Sequence, residues 1–352
     1  MSQQYPKLRR RHALQLLAGV SGAAFLNACN ANSSNDSSES SSGASNAETT
    51  MSMTMGTAPW IGQVPIYVAQ EKGFYAEQGL DFTLRNFGTS GDYLAAFATG
   101  DLDGLSLVSA EALTLAAQGE DYKIVLIQDN SIGGDGILAK ETISSVADFK
   151  GKKIAADTSG VSYFFLLQVL KEAGLTEDDV SIVNMDPAAA AAAFLSNNVD
   201  AAVTYSPYLQ QTADEVEDGK IIYDSSKMPT AIIDLYLFST QYIAENAEAV
   251  QAFVNATLKG LQYLEENPEE SFAIGASALE LTPEEVEADL GGVALPNKET
   301  NLEMMTQADS ELYVAQPLED LADFLVAEEQ VESKPDSIVG LIDPQFVQAA
   351  SF

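Results

Sequence analysis

The chain has 352 residues, with 52 acidic and 17 basic side chains, a formal net charge of −35, one cysteine and one histidine. That charge argues against nucleic acid as a partner and against adsorption to anionic lipid, both of which are polyanions. One cysteine excludes an intrachain disulfide, and the lone histidine, His12, lies in an N-terminal segment that is not expected to fold.

Residues 8–29 read LRRRHALQLLAGVSGAAFLNAC. Arg9, Arg10 and Arg11 form a basic n-region, and residues 14–26 are an apolar run too short to span a bilayer in the usual way. Residues 10–14 fit a twin-arginine export pattern, with Ala13 where Phe is commoner; export by the general route stays open. The segment ends Leu26-Asn27-Ala28-Cys29, which resembles the bacterial lipoprotein cleavage box. Residues 1–28 are therefore expected to be a signal peptide, and Cys29 the lipidated first mature residue; the alternative is an uncleaved anchor with an incidental cysteine. Residues 30–48 read NANSSNDSSESSSGASNAE and hold nothing to bury, so 29–50 is expected to be a flexible lipid-anchored linker.

Without residues 1–28 the chain keeps 13 basic against 52 acidic residues, a formal charge of −39, and Arg85 is its only arginine. Neither Cys–His nor Ser–His–Asp catalysis, nor a His- or Cys-ligated metal, can be assembled from such a chain. The motifs G-x-S-x-G, S-x-x-K and G-x-x-x-x-G-K are absent. A carboxylate-only glycosidase stays open, although no pair of acids stands out. No catalytic residue, cofactor or metal is expected. Most of the acids read as a solvated skin.

In chain order, strand-like runs fall at residues 51–56, 81–86, 104–107, 123–128, 136–139, 153–156, 181–184, 201–204 and 232–239. Helix-like runs at 64–72, 93–99, 110–118, 163–173, 187–196 and 208–218 alternate with them. Gly73, Gly79, Gly100, Gly119 and Gly174 stand where helices are expected to end in a left-handed residue. Asp186-Pro187 reads as an N-cap followed by a first-turn proline. Such alternation predicts an α/β fold with parallel-rich sheets flanked by helices. After residue 239 the pattern becomes helical, at 247–267, 268–276, 282–290 and 318–328.

The segments APWIGQVPIYVAQEKGFYAEQGLDFTL, AAFATGDLDG, GGDGILAKETISSVADFKGKKIAADTSG, AAAAAFLSNNVDAAVTYSPYLQQ and IIDLYLFSTQYIAEN follow one another in the order and spacing of a known family. They resemble bacterial substrate-binding proteins of the nitrate/sulfonate/taurine and thiamine-precursor import class. The resemblance implies a two-lobe type II periplasmic-binding fold. One lobe would comprise residues 51–136 and 235–352, the other 137–234, joined by crossover strands near 136–140 and 232–237. With Cys29 lipidated, the mature protein is expected to be a monomer anchored on the periplasmic face of the membrane. Such a protein would be no enzyme; it would hold a small ligand in its cleft and hand it to an ABC permease. Some relatives make a thiamine pyrimidine with iron and histidine chemistry, which the lack of mature histidine and free cysteine disfavours. A sensory lipoprotein without a transporter is the third reading.

Ligands in open α/β sheets sit beyond the carboxyl ends of strands. The residues expected there are Trp60, the only tryptophan, Thr89, Ser90, Ser109, Thr158, Ser159, Gly160 and Tyr205. The loops 88–91 and 157–162 lead into helices and offer free N–H groups to a polar or anionic group; the bland alternative is an ordinary N-cap. Trp60 and Tyr205 read either as cleft walls or as packing residues. Asp135 and Asp234 either contact a ligand amine or hold the hinge. Arg85 alternates with apolar neighbours and is expected to face solvent. Lacking an arginine fork for a simple anion, the site favours a neutral or zwitterionic organic ligand, a group that takes in sulfonates, taurine-like molecules and pyrimidines.

The anchor is directly testable. The native chain is expected to take up a palmitate analogue and partition into detergent, whereas Cys29→Ser takes up none. Equal labelling of both rules out lipidation at Cys29.

Overall fold

The computed structural model describes residues 51–228 and 231–352; the expected signal peptide, Cys29 and the linker lie outside them. Strand β1 (Met51–Thr57) leads through helices α1 (Val64–Glu71) and α2 (Phe74–Glu77) to β2 (Leu80–Asn86). Helix α3 (Ser90–Ala98), β3 (Gly104–Val108), α4 (Ser109–Ala117) and β4 (Tyr122–Ser131) follow. Next come β5 (Asp135–Lys140), β6 (Lys153–Ala156), α5 (Val161–Glu172), β7 (Ser181–Asn184), α6 (Pro187–Leu195), β8 (Ala201–Tyr205), α7 (Tyr208–Glu215) and β9 (Gly219–Asp224). Strand β10 (Ile233–Ser239) opens the helical remainder: α8 (Thr240–Glu266), α9 (Pro268–Leu279), α10 (Pro283–Leu290), the short β11 (Val293–Ala294), α11 (Lys298–Thr306), α12 (Ala315–Ala327), α13 (Ile338–Leu341) and α14 (Gln345–Ala349).

The strands form two sheets, ordered β11-β4-β10-β3-β1-β2 and β7-β6-β8-β5-β9. The mixed α/β, two-lobe expectation holds, with one correction. Of the nine ladders among the described residues, four are parallel and five antiparallel, so parallel pairing does not dominate. The reason lies in the two places where the chain passes between sheets. It leaves the first sheet through residues 132–134 and returns between β9 and β10. Strands β1 and β3 run towards this junction, whereas β10 starts at it, so β10 enters antiparallel to β3 and β4. Strand β5 likewise starts there and lies antiparallel to β8 and β9. Each of β5 and β10 stays within one sheet, so the crossings are the connecting segments rather than the strands at 136–140 and 232–237.

Local chemistry sets the element ends. Asp186 Oδ1 accepts from Ala189 N at 2.8 Å, and Pro187 opens the alanine run of α6. Gly73 and Gly174 follow α1 and α5 with φ of +74° and +71°, the left-handed conformation that only glycine adopts without strain. Helix α8 begins at Thr240 rather than at 247; its first turn, capped by Ser239, ends at a kink at Asn246, and the longer apolar period starts only after that break. Strand β9 was not legible because its residues are half-buried at a sheet edge and lack alternation. The core of the first sheet gathers around Phe253 of α8, which packs against Tyr75, Phe82, Tyr236 and Phe238. Gly260 lets α8 approach α1, since a Cβ there would lie 2.2 Å from Pro65 O.

Asn301 of α11 completes the sheet. Strand β11 covers β4 only at Asn130 and Ser131. Beyond it, Asn301 Oδ1 accepts from Ile127 N at 2.8 Å and Nδ2 donates to Ile127 O at 3.1 Å, as a strand partner would. Asn301→Ala strips both partners from a buried peptide unit and is expected to cost about 2–4 kcal/mol, read as a lower midpoint in urea unfolding.

Candidate functional site

The crossings bring strand ends of both sheets to one place. From the first sheet come the end of β1 with the loop to Trp60, the end of β3, and the start of β10, whose Asp234 pairs with Val108 on one side and Asp129 on the other. From the second come the start of β5 and the end of β8, where Asp135 lies opposite Tyr205. Between them is a cavity of about 40 Å³ lined by residues of both lobes. It has room for roughly three waters. Tyr205 and Pro59 also border a wider groove of about 270 Å³ that runs between Phe87 on one side and Asp186–Ala188 on the other.

Five of the ten residues expected at the site line the cavity: Trp60, Ser90, Asp135, Tyr205 and Asp234. Trp60 is only 7 % exposed. Its Nε1 donates to Asp129 Oδ2 at 2.8 Å, and its ring meets Tyr205 edge-on with centroids 5.8 Å apart. It is therefore both a packed residue and a wall between lobes. Gly160 abuts the cavity: a Cβ there would lie 2.2 Å from Ser90 Oγ and 2.8 Å from Glu111 Oε1. Thr89, Ser109, Thr158 and Ser159 do not line it. Thr158 N donates to Asn184 Oδ1, and Ser109 is the buried first residue of α4. Arg85 is exposed on the edge strand β2, over the Phe87 ring.

The loop donors face protein groups. Ser90 N donates to Asp157 Oδ2 at 3.4 Å, and Gly91 N to Ser159 Oγ at 3.1 Å, so the second lobe's own side chains occupy the N-terminus of α3. Asp157 Oδ1 accepts in turn from Ser159 N and Oγ. These bonds, with the Trp60–Tyr205 contact, hold the lobes together.

Sequence reasoning missed Gln63, Tyr93, Ser106, Glu111 and Asp129. Gln63 donates to Thr57 Oγ1 and to Ala58 O, and accepts from Tyr67 OH. Ser106 Oγ donates to Gln128 Oε1 at 2.6 Å. Tyr93 OH donates to Glu111 Oε2. The signal that could have found Glu111 is a lone acid in the apolar run of α4; for Asp129 it is an acid in the apolar run of β4.

Burial pushes the Glu111 carboxyl up to about 7, against the bonds from Ser90 and Tyr93. It does the same for Asp135, against a bond with Ser131. Burial also raises Asp129 to about 7, against its bonds with Trp60, Gln128 and Asp234, and it raises Asp234 well above the usual carboxylate range together with the charges of Asp129, Asp135 and Glu111. Tyr93 and Tyr205 are raised well above the usual phenol range, first by burial and then by Glu111. A carboxyl raised on folding binds its proton more tightly in the native state, so its stabilisation is complete below the unfolded value near 4 and is lost as pH rises through about 7. The ligand-free protein is therefore expected to melt at lower temperature at about pH 8 than at about pH 5.5. Asp135→Asn, which removes one of these titrations, should flatten the difference by on the order of 2 kcal/mol. The wild-type-minus-variant slope separates this from repulsion in the acidic shell.

Residues 60–271 match the model of a family described as NMT1/THI5 like. A protein of Brucella abortus (strain 2308) named as a binding protein is 30% identical over 240 residues, covering 66% of this chain and 73% of that one. The taurine-binding periplasmic protein of Escherichia coli (strain K12) is 28% identical over 58% of this chain and 64% of its own length. Among solved structures, the alkanesulfonate-binding protein SsuA from Xanthomonas axonopodis pv. citri, bound to MOPS, superposes with a TM-score of 0.68 at 21% identity, over 83% of this chain and 98% of that one. The desulfurization enzyme DSZB shares the fold at a TM-score of 0.61 and 15% identity, over 85% of this chain and 98% of its own. Matched over more than half of its length, the chain belongs to the NMT1/THI5-like family.

Proposed function

We propose that the protein is an extracytoplasmic solute receptor. Its two lobes close on a small polar organic ligand at the cavity beneath Trp60 and Tyr205, and the closed form delivers it to an ABC permease. The observation that carries this reading is the convergence of strand ends from both sheets on one cavity whose walls belong to both lobes. In the same reading the lobe boundaries, expected at 136/137 and 234/235, fall a few residues earlier at the two crossings, so β5 with Asp135 belongs to the second lobe and β10 with Asp234 to the first. Cys29 carries the lipid, residues 30–48 tether a monomeric receptor to the membrane, and Trp60, Ser90, Asp135, Tyr205 and Asp234 contact the ligand. The taurine- and sulfonate-binding relatives make taurine and sulfonates the first ligands to try.

Catalysis finds little support. The fold hosts an enzyme as well as receptors, so fold does not decide. The chain offers no histidine after His12 and no thiol after Cys29.

A cavity of this size admits a ligand only if the lobes part and close again, and Gly160 is what allows them to close. Gly160→Ala sets a methyl against Ser90 and Glu111. A ligand that binds the closed form more tightly shifts the population towards it. In a thermal-shift screen, a true ligand at a hundredfold excess over Kd adds about 2.7 kcal/mol. It should also change Trp60 emission and reduce the radius of gyration. Gly160→Ala is expected to weaken that ligand at least tenfold while leaving the ligand-free melting temperature nearly unchanged. A ligand that binds with no change in Trp60 emission or compactness would remove the cavity as the site.

A further inference from the structure

Resting on the receptor reading, we propose that the cavity selects a small organic cation with N–H donors, a primary ammonium or an amidinium, rather than a sulfonate. Three wall carboxylates are almost wholly buried: Glu111 at 1 %, Asp135 at 3 % and Asp234 at 6 % exposure, with Asp129 directly behind Asp234. No lysine or arginine lines the cavity, and none of the ion pairs among the described residues includes one of these acids. Asp135 Oδ2 and Asp234 Oδ2 are buried without a hydrogen-bond partner. Buried acceptors in that state cost free energy until a donor meets them.

The anion-accepting feature at this place is already filled. The N-terminal N–H groups of α3 are bonded to Asp157 and Ser159 of the opposite lobe. A sulfonate entering the cavity would meet carboxylates instead of donors. A protonated amine would meet two free carboxylate oxygens and the aromatic walls Trp60 and Tyr205, which favour a cation. Among the described residues no group of three or more acids is set to hold a metal ion, which favours an organic cation.

Burial favours the protonated carboxyls in this cavity, as the raised Glu111 and Asp135 indicate. The groups facing this charge are Glu111 from α4, Asp135 from β5, Asp129 and Asp234 from β4 and β10, and the phenols of Tyr93 and Tyr205; Asp157 stands behind Ser90. Every one of them is acidic or neutral. An entering ammonium keeps its own proton and displaces one from the carboxyls to solvent, so binding releases protons and tightens as pH rises through about 7.

The test is titration of the full chain in detergent with cadaverine, benzamidine and ethanesulfonate, read by calorimetry and Trp60 emission in 0.5 M NaCl, roughly a 4 Å screening length, to suppress attraction to the acidic surface. The proposal expects at least one of the two cations to change Trp60 emission and to release protons, seen as a buffer-dependent heat. Its affinity should fall at least tenfold from about pH 8 to about pH 6 and at least tenfold in Glu111→Gln, with ethanesulfonate silent. The buffer and pH comparisons use the native chain and stand even if the variant does not fold. Ethanesulfonate binding at Trp60 while neither cation does overturns the ligand class and leaves the receptor reading intact. A cation that binds without proton release or pH dependence also overturns it. Silence of all three probes overturns the class and counts against the cavity as a receptor site.

Discussion

Ser225 Oγ lies 2.7 Å from Ser131 Oγ and accepts from Gly133 N at 2.7 Å, fully buried between the outgoing and returning chain. Everything else in the architecture depends on that junction. Because the chain changes sheets at two adjacent points, both β10 and β5 must start there, and the ends of β1, β3 and β8 must arrive there. A junction of strand ends is where side chains and loop amides converge without a continuous ladder to satisfy them, which is why binding sites form in such places. Glycine serves the same end: a Cβ at Gly134 would meet the Trp60 ring at 2.5 Å, so the outgoing segment can pass beneath the indole only as bare backbone.

The acids gathered at that junction set stability against use. Burying Asp129, Asp135, Asp234 and Glu111 with no cation beside them disfavours the ionised form, and the folded chain responds by keeping protons. The surface acids behave differently. Asp148 and Asp179 cap short helical turns, and their carboxyls are held below the usual range by backbone N–H groups and, for Asp179, by Lys150 first. Half-exposed surface pairs such as Lys334 with Glu319 and Asp323 contribute little to stability, because water screens them. The acidity of the chain thus has two parts with opposite physics, a solvated skin and a small, buried cluster without a cation beside it.

The C-terminal helices brace the two lobes from outside the cleft. Helix α8 lies along α1 with Phe253 seated in an aromatic cluster, and α11 lends Asn301 to β4 as a substitute strand. Helix α12 reaches α4 of the first lobe, and Glu328 just after it pairs with Lys171 of α5 in the second. A movement of the lobes would have to work through contacts of this surface kind, which are weak enough to break and re-form.

The alternation of strands and helices, the glycine and aspartate signals at helix ends, the helical remainder and the family were all legible in the amino-acid order. These are carried by residues a few positions apart, where backbone conformation and periodicity act. That order also pointed to five of the fourteen residues lining the cavity: Trp60, Ser90 and Tyr205 follow strand-like runs, and Asp135 and Asp234 lie beside the expected crossovers. The remaining features emerge from the packed fold. Glu111 reads locally as a first-turn helix acid and Asp129 as the residue just past a strand-like run; only the crossings make Glu111 part of the cavity wall and Asp129 the strand partner of Asp234. That Asp157 fills the α3 N-terminus depends on a partner 67 residues away. The direction of β5 and β10 depends on where the chain changes sheets. Such outcomes are settled by long-range burial and pairing, and no local propensity encodes which distant group will arrive.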